Sequence, residues 1–232
     1  MVSAIIVAAG KGERMGTASV GAQATDKVFL SLGSKPVLAW SLLAFERCME
    51  IDQIVLVVRK EQLAAAKALC QMFGISKIHK IVPGGSKRQD SVMNGLKEVD
   101  GDTRFVVIHD GARPCITSDT IAETVKQVRR SQAVVVGRKM TDTVKYVEKG
   151  VTVTRTEDRS KLWAVQTPQA FGYNLITKAY KKVVEEKLDV SDDASAVESI
   201  GEAVKIYETT APNIKITTVD DLRVATALIA SR

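Results

Sequence analysis

The sequence predicts an α/β fold: a mostly parallel, twisted sheet with helices on both faces. Two observations carry that expectation. Short apolar, β-branched runs alternate with longer segments of helical periodicity along most of the chain, as parallel strands with crossover helices require. The exception is 141–156, where "DTVKYV" and "VTVTRT" flank Glu148-Lys149-Gly150 and predict a protruding β-hairpin arm. Neither an internal repeat nor a low-complexity linker interrupts the 232 residues, so one domain over 1–232 is expected, with 141–156 as its arm.

In order, residues 4–7 read as the first strand, followed at once by a glycine loop. Pro36 opens a helix whose Val37, Trp40, Leu43 and Ala44 recur on one face, since proline is tolerated in a first turn. Residues 54–58 are a buried strand, and the Ala/Leu/Lys-rich 61–73 is a helix ended by Gly74. A strand at 78–82 leads into Pro83-Gly84-Gly85-Ser86, with 88–99 helical again. A strand at 105–108 runs into "HDGARP", 118–131 is helical and 133–136 is a strand. Beyond the arm come a helix at 173–187, a short helix after Ser191, a strand near 204–207 and a last helix from Val219.

Composition narrows the partners. Hydrophobic residues make up 45% and charged ones 26%, ordinary for a globular protein, and no apolar run approaches the roughly 20 residues of a membrane span. Residues 5–9 are too short for the apolar part of a signal peptide. The net charge of +6 admits nucleic acid or a small anionic substrate. The basic residues are scattered among acids, and at 5% aromatic content the chain has little to stack on bases, so neither nucleic acid nor membrane is expected as a partner. Cys48, Cys70 and Cys115 form no C-x-x-C pair, which suits a reduced, cytoplasmic setting.

Gly10, Gly12 and Gly16 in "AAGKGERMG" miss the G-x-G-x-x-G spacing of a dinucleotide site, and no Gly-Lys-Ser/Thr makes a P-loop. Ligands of parallel α/β sheets sit beyond the carboxyl ends of the strands. Three loops fall there: "AAGKGER", "PGGSKRQDS" and "HDGARP". Singly, Gly84-Gly85 could be a turn, Asp110 a cap and Arg113 a surface ion pair; a common pocket explains all three. With two histidines and no H-E-x-x-H, a histidine metal site is not expected, and Ser91 lacks a G-x-S-x-G context. His109 reads as a structural histidine at a strand end.

A site rich in cations and poor in bases suits attack of a phosphate monoester on the α-phosphorus of a nucleoside triphosphate. The second pKa of a phosphate is about 6, so the nucleophile is already ionised at neutral pH. What remains is repulsion between anions, which arginine, lysine and Mg²⁺ offset. The glycines of the first loop let backbone N–H groups approach the triphosphate, and Arg14 and Lys27 supply fixed positive charge.

"VAAGKGERMG", "PGGSKRQDSV", "HDGARP", "DTVK", "DRSKLWAVQTPQAF", "DDASAVE" and "NIKITTVDDL" follow one another in that order. Together they closely resemble the 2-C-methyl-D-erythritol 4-phosphate cytidylyltransferase family of the non-mevalonate isoprenoid pathway. The resemblance implies a Rossmann-like nucleotidyltransferase fold, a homodimer joined by the arm, and a Mg²⁺ requirement. It implies a reaction in which CTP and methylerythritol phosphate yield diphosphocytidyl-methylerythritol and pyrophosphate. By motif match, Arg14, Lys27, Arg159 and Lys215 would be catalytic, the first two at the α-phosphate. Ala8, Ala9, Gly10, Gly12, Gly85, Ser86 and Ser91 would surround CTP. Asp110, Arg113, Thr167 and Ser191 would serve the acceptor, with Thr143 and Arg159 arriving from the partner subunit's arm. Mg²⁺ would be held mainly by the CTP phosphates, with Asp110 a candidate protein ligand.

Two departures stand out. Asp26-Lys27-Val28-Phe29 replaces the family's usual Pro-Lys-Gln before an aromatic residue, after a longer stretch following Arg14, and Ser191 replaces a threonine. Ribitol 5-phosphate cytidylyltransferase is the nearest alternative, and "HDGARPC" with "DTVK" favours the methylerythritol enzyme. A nucleotide-binding regulator without catalysis would not need Arg14, Lys27, Arg159 and Lys215 together.

Overall fold

The computed structural model describes residues 1–10 and 26–231. In chain order the elements are β1 (Val2–Ala8), a 3₁₀ turn (Lys27–Phe29), β2 (Ser31–Leu32), β3 (Lys35–Pro36), α1 (Val37–Arg47), β4 (Gln53–Val58) and α2 (Leu63–Met72). Next come β5 (Ile78–Pro83), α3 (Arg88–Leu96), β6 (Phe105–Asp110), α4 (Ser118–Ser131), β7 (Ala133–Lys139), β8 (Lys145–Tyr146) and β9 (Arg155–Thr156). The chain closes with β10 (Trp163–Gly172), α5 (Tyr173–Glu185), α6 (Asp193–Ser199), β11 (Lys205–Glu208) and α7 (Val219–Ala230). Among the described residues, no helix is long and apolar enough to cross a membrane.

Seven strands form one sheet in the order β11-β7-β10-β6-β1-β4-β5. Period-2 alternation divides its side chains between two helical layers. Ala4, Ile6 and Ala8 of β1 join the cluster containing Leu42 and Phe45 of α1 and Ile121 of α4. Ile5 between them joins the opposite cluster, with Val92 of α3, Ile176 of α5 and Val197 of α6. Gly95 lets α3 lie close on the sheet, because a Cβ there would fall 2.6 Å from Ile5 Cγ2. The α/β class expected from the sequence is therefore the one observed.

One strand was not expected. β10 runs antiparallel to both neighbours, whereas all other pairings in the sheet are parallel. Its sequence "WAVQTPQAFG" hides it: Gln166, Thr167 and Pro168 break the apolar run, and a proline normally argues against a central strand. The register shift between Val165 and Gln169 absorbs that proline. Reversal has a consequence for the site. β10 brings its first half to the sheet edge where its neighbours end, so Thr167 stands beside Asp110.

Smaller differences concern ends. α3 stops at Leu96, three residues short of expectation, and α5 stops at Glu185 because Lys187 takes a left-handed φ of 52°. Gly74 ends the α2 segment as expected, at φ 63°. The arm is a short ribbon in which Lys145 pairs with Thr156 and Tyr146 with Arg155, and Gly150 takes φ 68° in its turn.

Candidate active site

After β1 the chain builds β4 and β5 on one side, then crosses back to place β6 on the other, so the strand order reverses between β1 and β6. Such a switch point opens a crevice at the carboxyl ends of the strands. A cavity of about 590 Å³ lies there. Its wall comprises Ala8, Ala9 and Gly10 after β1, the Arg59-Lys60-Glu61 turn after β4, Gly84 to Arg88 after β5, and Asp110 and Ala112. Val7, Lys27, Val28, Ser91 and Lys215 complete it.

The β5–α3 loop is set by its own contacts. A Cβ on Gly84 would collide with Ala9 Cβ and come within 2.8 Å of Ser91 Oγ, so only glycine lets this loop approach the β1 loop so closely. Ser91 Oγ accepts from Gly85 N–H at 3.1 Å and donates to Lys87 O at 3.2 Å. Asp90 accepts from Lys87 N–H and Ser86 Oγ–H at 3.0 and 2.7 Å. Those hydrogen bonds, Ser86 first, hold its carboxyl below the ordinary range.

Asp110 sits at the centre of the cationic wall. Its Oδ1 accepts from Arg88 Nε at 3.0 Å and its Oδ2 from Lys215 Nζ at 2.7 Å. Burial alone would raise the pKa of this carboxyl, but the charges of Arg88, Lys215 and Arg113 outweigh it and the net shift is downward. Asp110 is therefore an ionised carboxylate. Arg88 reaches on to the fully buried Asp193 at 2.8 Å, and Tyr180 Oη–H donates to the other Asp193 oxygen at 2.6 Å. Burial opposes the charge on Arg88; Asp193 and Asp110 more than restore it and raise its pKa. Burial and Asp193 together hold the Tyr180 phenol neutral by raising its pKa.

Behind Asp110, Thr167 Oγ1 accepts from Asp110 N–H at 3.1 Å and bonds His109 Nδ1 at 3.0 Å. The Arg113 carbonyl, 3.3 Å from Nε2, can only accept, so the neutral ring carries its proton on Nε2 and Nδ1 accepts from the Thr167 hydroxyl. Burial lowers the His109 pKa to about 3, so the ring is neutral and committed to structure. Lys215 is placed by its neighbours: Asn213 Nδ2 donates to Thr167 O, Arg113 Nη1 donates to Asn213 O, and Ile216 N–H donates to Ala112 O.

Of the residues expected from sequence, Ala8, Ala9, Gly10, Lys27, Gly85, Ser86, Ser91, Asp110 and Lys215 share this cavity. Arg113 and Thr167 stand directly behind Asp110. Thr143 on the arm and Arg159 just beyond it are both exposed, with Arg159 Nη1 donating to Thr141 O at 2.6 Å. Ser191 is exposed and bonds Ser195 at 2.9 Å, two residues before Asp193. Gly12 and Arg14 fall outside the described residues. Sequence reasoning missed Arg88, although it lies inside the quoted "PGGSKRQDS", and also missed the Arg59-Lys60-Glu61 turn and Asp193. A cation flanking a glycine loop was the available signal for Arg88. Among the described residues, no cluster of three or more His, Cys, Asp or Glu could cage a metal ion.

The sequence and the fold match those of known proteins. The family model for 2-C-methyl-D-erythritol 4-phosphate cytidylyltransferase matches residues 2–231. The chain is 42% identical to the protein of that name from Clostridium botulinum (strain 657 / Type Ba4) over 221 residues, covering 95% of this chain and 93% of the relative. It is 40% identical to that from Alkaliphilus oremlandii over 231 residues, covering 99% and 95%. The crystal structure of 4-diphosphocytidyl-2C-methyl-D-erythritol synthase from Anaerococcus prevotii superposes with a TM-score of 0.85 at 33% identity, over 99% of this chain and 98% of that one.

Proposed function

Because the chain belongs to the 2-C-methyl-D-erythritol 4-phosphate cytidylyltransferase family, we infer that it carries out that family's reaction in isoprenoid biosynthesis. It transfers CMP from CTP to 2-C-methyl-D-erythritol 4-phosphate, giving 4-diphosphocytidyl-2-C-methyl-D-erythritol and pyrophosphate. One observation ties the cavity to that chemistry. Lys27, Arg59, Lys60, Lys87, Arg88 and Lys215 surround it, against Asp110 and Glu61, beside a glycine-lined approach for phosphates.

An oxygen of the acceptor phosphate forms a bond to the α-phosphorus, and the bond from that phosphorus to the bridging oxygen breaks. Pyrophosphate carries the electron pair away. The acceptor phosphate loses its second proton at about pH 6, so no base is needed, and His109 is in any case locked behind Asp110. Lys27 and Arg14 are assigned to the charge that builds at the α-phosphoryl group, and Lys215 to the acceptor phosphate. Asp110 would be counterproductive against a phosphate but suits the polyol hydroxyls. Gly10, Gly85, Ser86 and Ser91 are assigned to CTP.

Mg²⁺ fits as an ion carried by the nucleotide. Both Asp110 oxygens already accept from cations, so triphosphate oxygens and water would supply its coordination. Bound there it would neutralise charge on the triphosphate and on the leaving pyrophosphate. The same proposal includes a homodimer in which Thr143 and Arg159 of the arm serve the neighbouring subunit's site. It also includes a cytoplasmic setting, supported by the burial of Cys48, Cys70 and Cys115 and by the absence of a C-x-x-C pair in the sequence.

The test supplies purified protein with CTP, Mg²⁺ and either methylerythritol phosphate or ribitol 5-phosphate, and follows pyrophosphate release. Turnover should require the methylerythritol substrate and should fall sharply when UTP replaces CTP, because a site that hydrogen-bonds one base leaves its polar groups unpaired against another. Preference for ribitol phosphate, or equal use of UTP, would overturn the assignment.

A further inference from the structure

Asp26 does not line the cavity, yet its carboxylate joins two parts of the wall that do. Its Oδ2 accepts from Arg59 Nε at 3.0 Å, and its Oδ1 caps the 3₁₀ turn by accepting from Val28 N–H at 3.4 Å. The Asp26 side chain is only 1% exposed, and Phe29 N–H donates to its backbone carbonyl at 2.9 Å. Lys27 is the residue between these anchors, and both Lys27 and Arg59 face the cavity. The turn carrying Lys27 is thus fastened to the end of β4 by one buried carboxylate.

We propose that Asp26 and Arg59 act as a positioning pair that holds Lys27 at the α-phosphate during cytidylyl transfer. The proposal rests on the assignment of Lys27 to the transition state. Arg59 spends its charge on Asp26 at 3.0 Å and on Glu61 at 3.3 Å, so it serves as a fixed strut. A lysine on an unanchored turn samples many positions, and a displacement of about 1 Å from the reacting group can cost about a hundredfold in rate. Fastening the turn therefore favours the transition state while leaving ground-state binding of CTP largely to the β1 and β5 loops.

The experiment is a double-mutant cycle on the full-length enzyme, with kcat and the KM for CTP measured separately and melting temperatures recorded. Asp26→Asn should lower kcat by roughly ten- to a hundredfold with the KM for CTP changing less than about threefold. Arg59→Met should reproduce that loss, and Asp26→Glu should recover part of it. In a Lys27→Ala background, Asp26→Asn should have almost no further effect, because the lysine it positions is gone. Arg59 keeps Glu61 as a partner in Asp26→Asn; should that variant melt too low to assay, Arg59→Met carries the same cycle. Losses that multiply in the double variant, or a loss confined to the KM for CTP, would overturn the positioning role. A Lys27→Ala enzyme with near-normal kcat would overturn the role of Lys27 itself and the proposal with it, a result distinguishable from the other two.

Discussion

Lys215 Nζ lies 2.7 Å from Asp110 Oδ2 across 105 positions of sequence, and the pairing decides what each group can do. With Arg88 on its other oxygen, the carboxylate is oriented and charge-balanced, so it can accept from a hydroxyl without repelling a phosphate next to it. Asp110→Asn should raise the KM for methylerythritol phosphate by roughly ten- to a hundredfold, the scale of a hydrogen bond to a charged group at about 1.5–3 kcal/mol. The KM for CTP should move much less. Initial rates with each substrate varied in turn make the comparison. A collapse of CTP binding with the acceptor untouched would assign Asp110 to the nucleotide.

Gly84→Ala tests the loop contact that shapes the nucleotide wall. The added Cβ meets Ala9 Cβ and Ser91 Oγ, and overpacking of this kind costs about 1–3 kcal/mol. Since the loop must retreat from β1, the KM for CTP should rise by about tenfold or more, roughly that energy expressed as binding. Adding Ala9→Gly should recover part of the loss. Unchanged CTP kinetics in the single variant would show that the close approach does not matter to the nucleotide.

His109 gives a stability prediction with a definite sign. Its pKa is about 3 in the folded chain against 6.5 when exposed, the shift coming chiefly from burial. Between those values the unfolded chain binds a proton that the folded one refuses. The stability held by the neutral ring is therefore complete above pH about 6.5 and is lost as pH falls toward 3, at up to about 1.4 kcal/mol per pH unit. His109→Gln removes that dependence. Urea unfolding at pH 7 and pH 5 should show the stability gap between wild type and variant shrinking by about 2 kcal/mol at the lower pH. A constant gap would mean that the ring protonates freely in the fold.

The arm calls for a test of subunit sharing. Val151 and Val153 on it are exposed, and an isolated two-stranded ribbon is marginal in water, which favours docking on a second copy. Mix an Arg14→Ala protein with an Arg159→Ala protein, each inactive alone, and allow subunits to exchange. If Arg159 serves its neighbour, half of the dimers are mixed and each has one intact site, restoring roughly a quarter of wild-type activity. If Arg159 serves its own chain, every site keeps a lesion. An inactive mixture with exchange independently demonstrated would rule out a shared site.

How much of this could be read in advance varied with the range of the interaction. Strands such as 54–58 were legible because every residue of β4 is buried and apolar character is needed throughout, apart from Gln53 at its start. The glycine and cation loops were legible because strand ends in such sheets converge. β10 was not, since Gln169 looks polar in sequence but is satisfied inside, accepting from Asp193 and Ala194 N–H and donating to Asp192. Arg88 was missed for a related reason: its partners lie 22 and 105 positions away, and only the folded chain pairs them. Arg59 and Lys60 fall between the expected strand at 54–58 and helix at 61–73, and only the folded chain shows Asp26 holding Arg59.

The reversed strand also sets an order of assembly. Among the described residues, β7 has no neighbour in the sheet other than β10 and β11, and both are made after it. As the chain leaves the ribosome, β1, β4, β5 and β6 can pair with one another, whereas β7 lacks both of its sheet partners until β10 and β11 have been made. An apolar strand in that condition is a template for unwanted pairing with other chains. Until β10 is in place, Thr167 is absent from beside Asp110 and the Lys215 segment has no Thr167 carbonyl to dock on. The strands under the nucleotide wall thus precede in the chain the strand that completes the acceptor wall, so the first wall can form before the second.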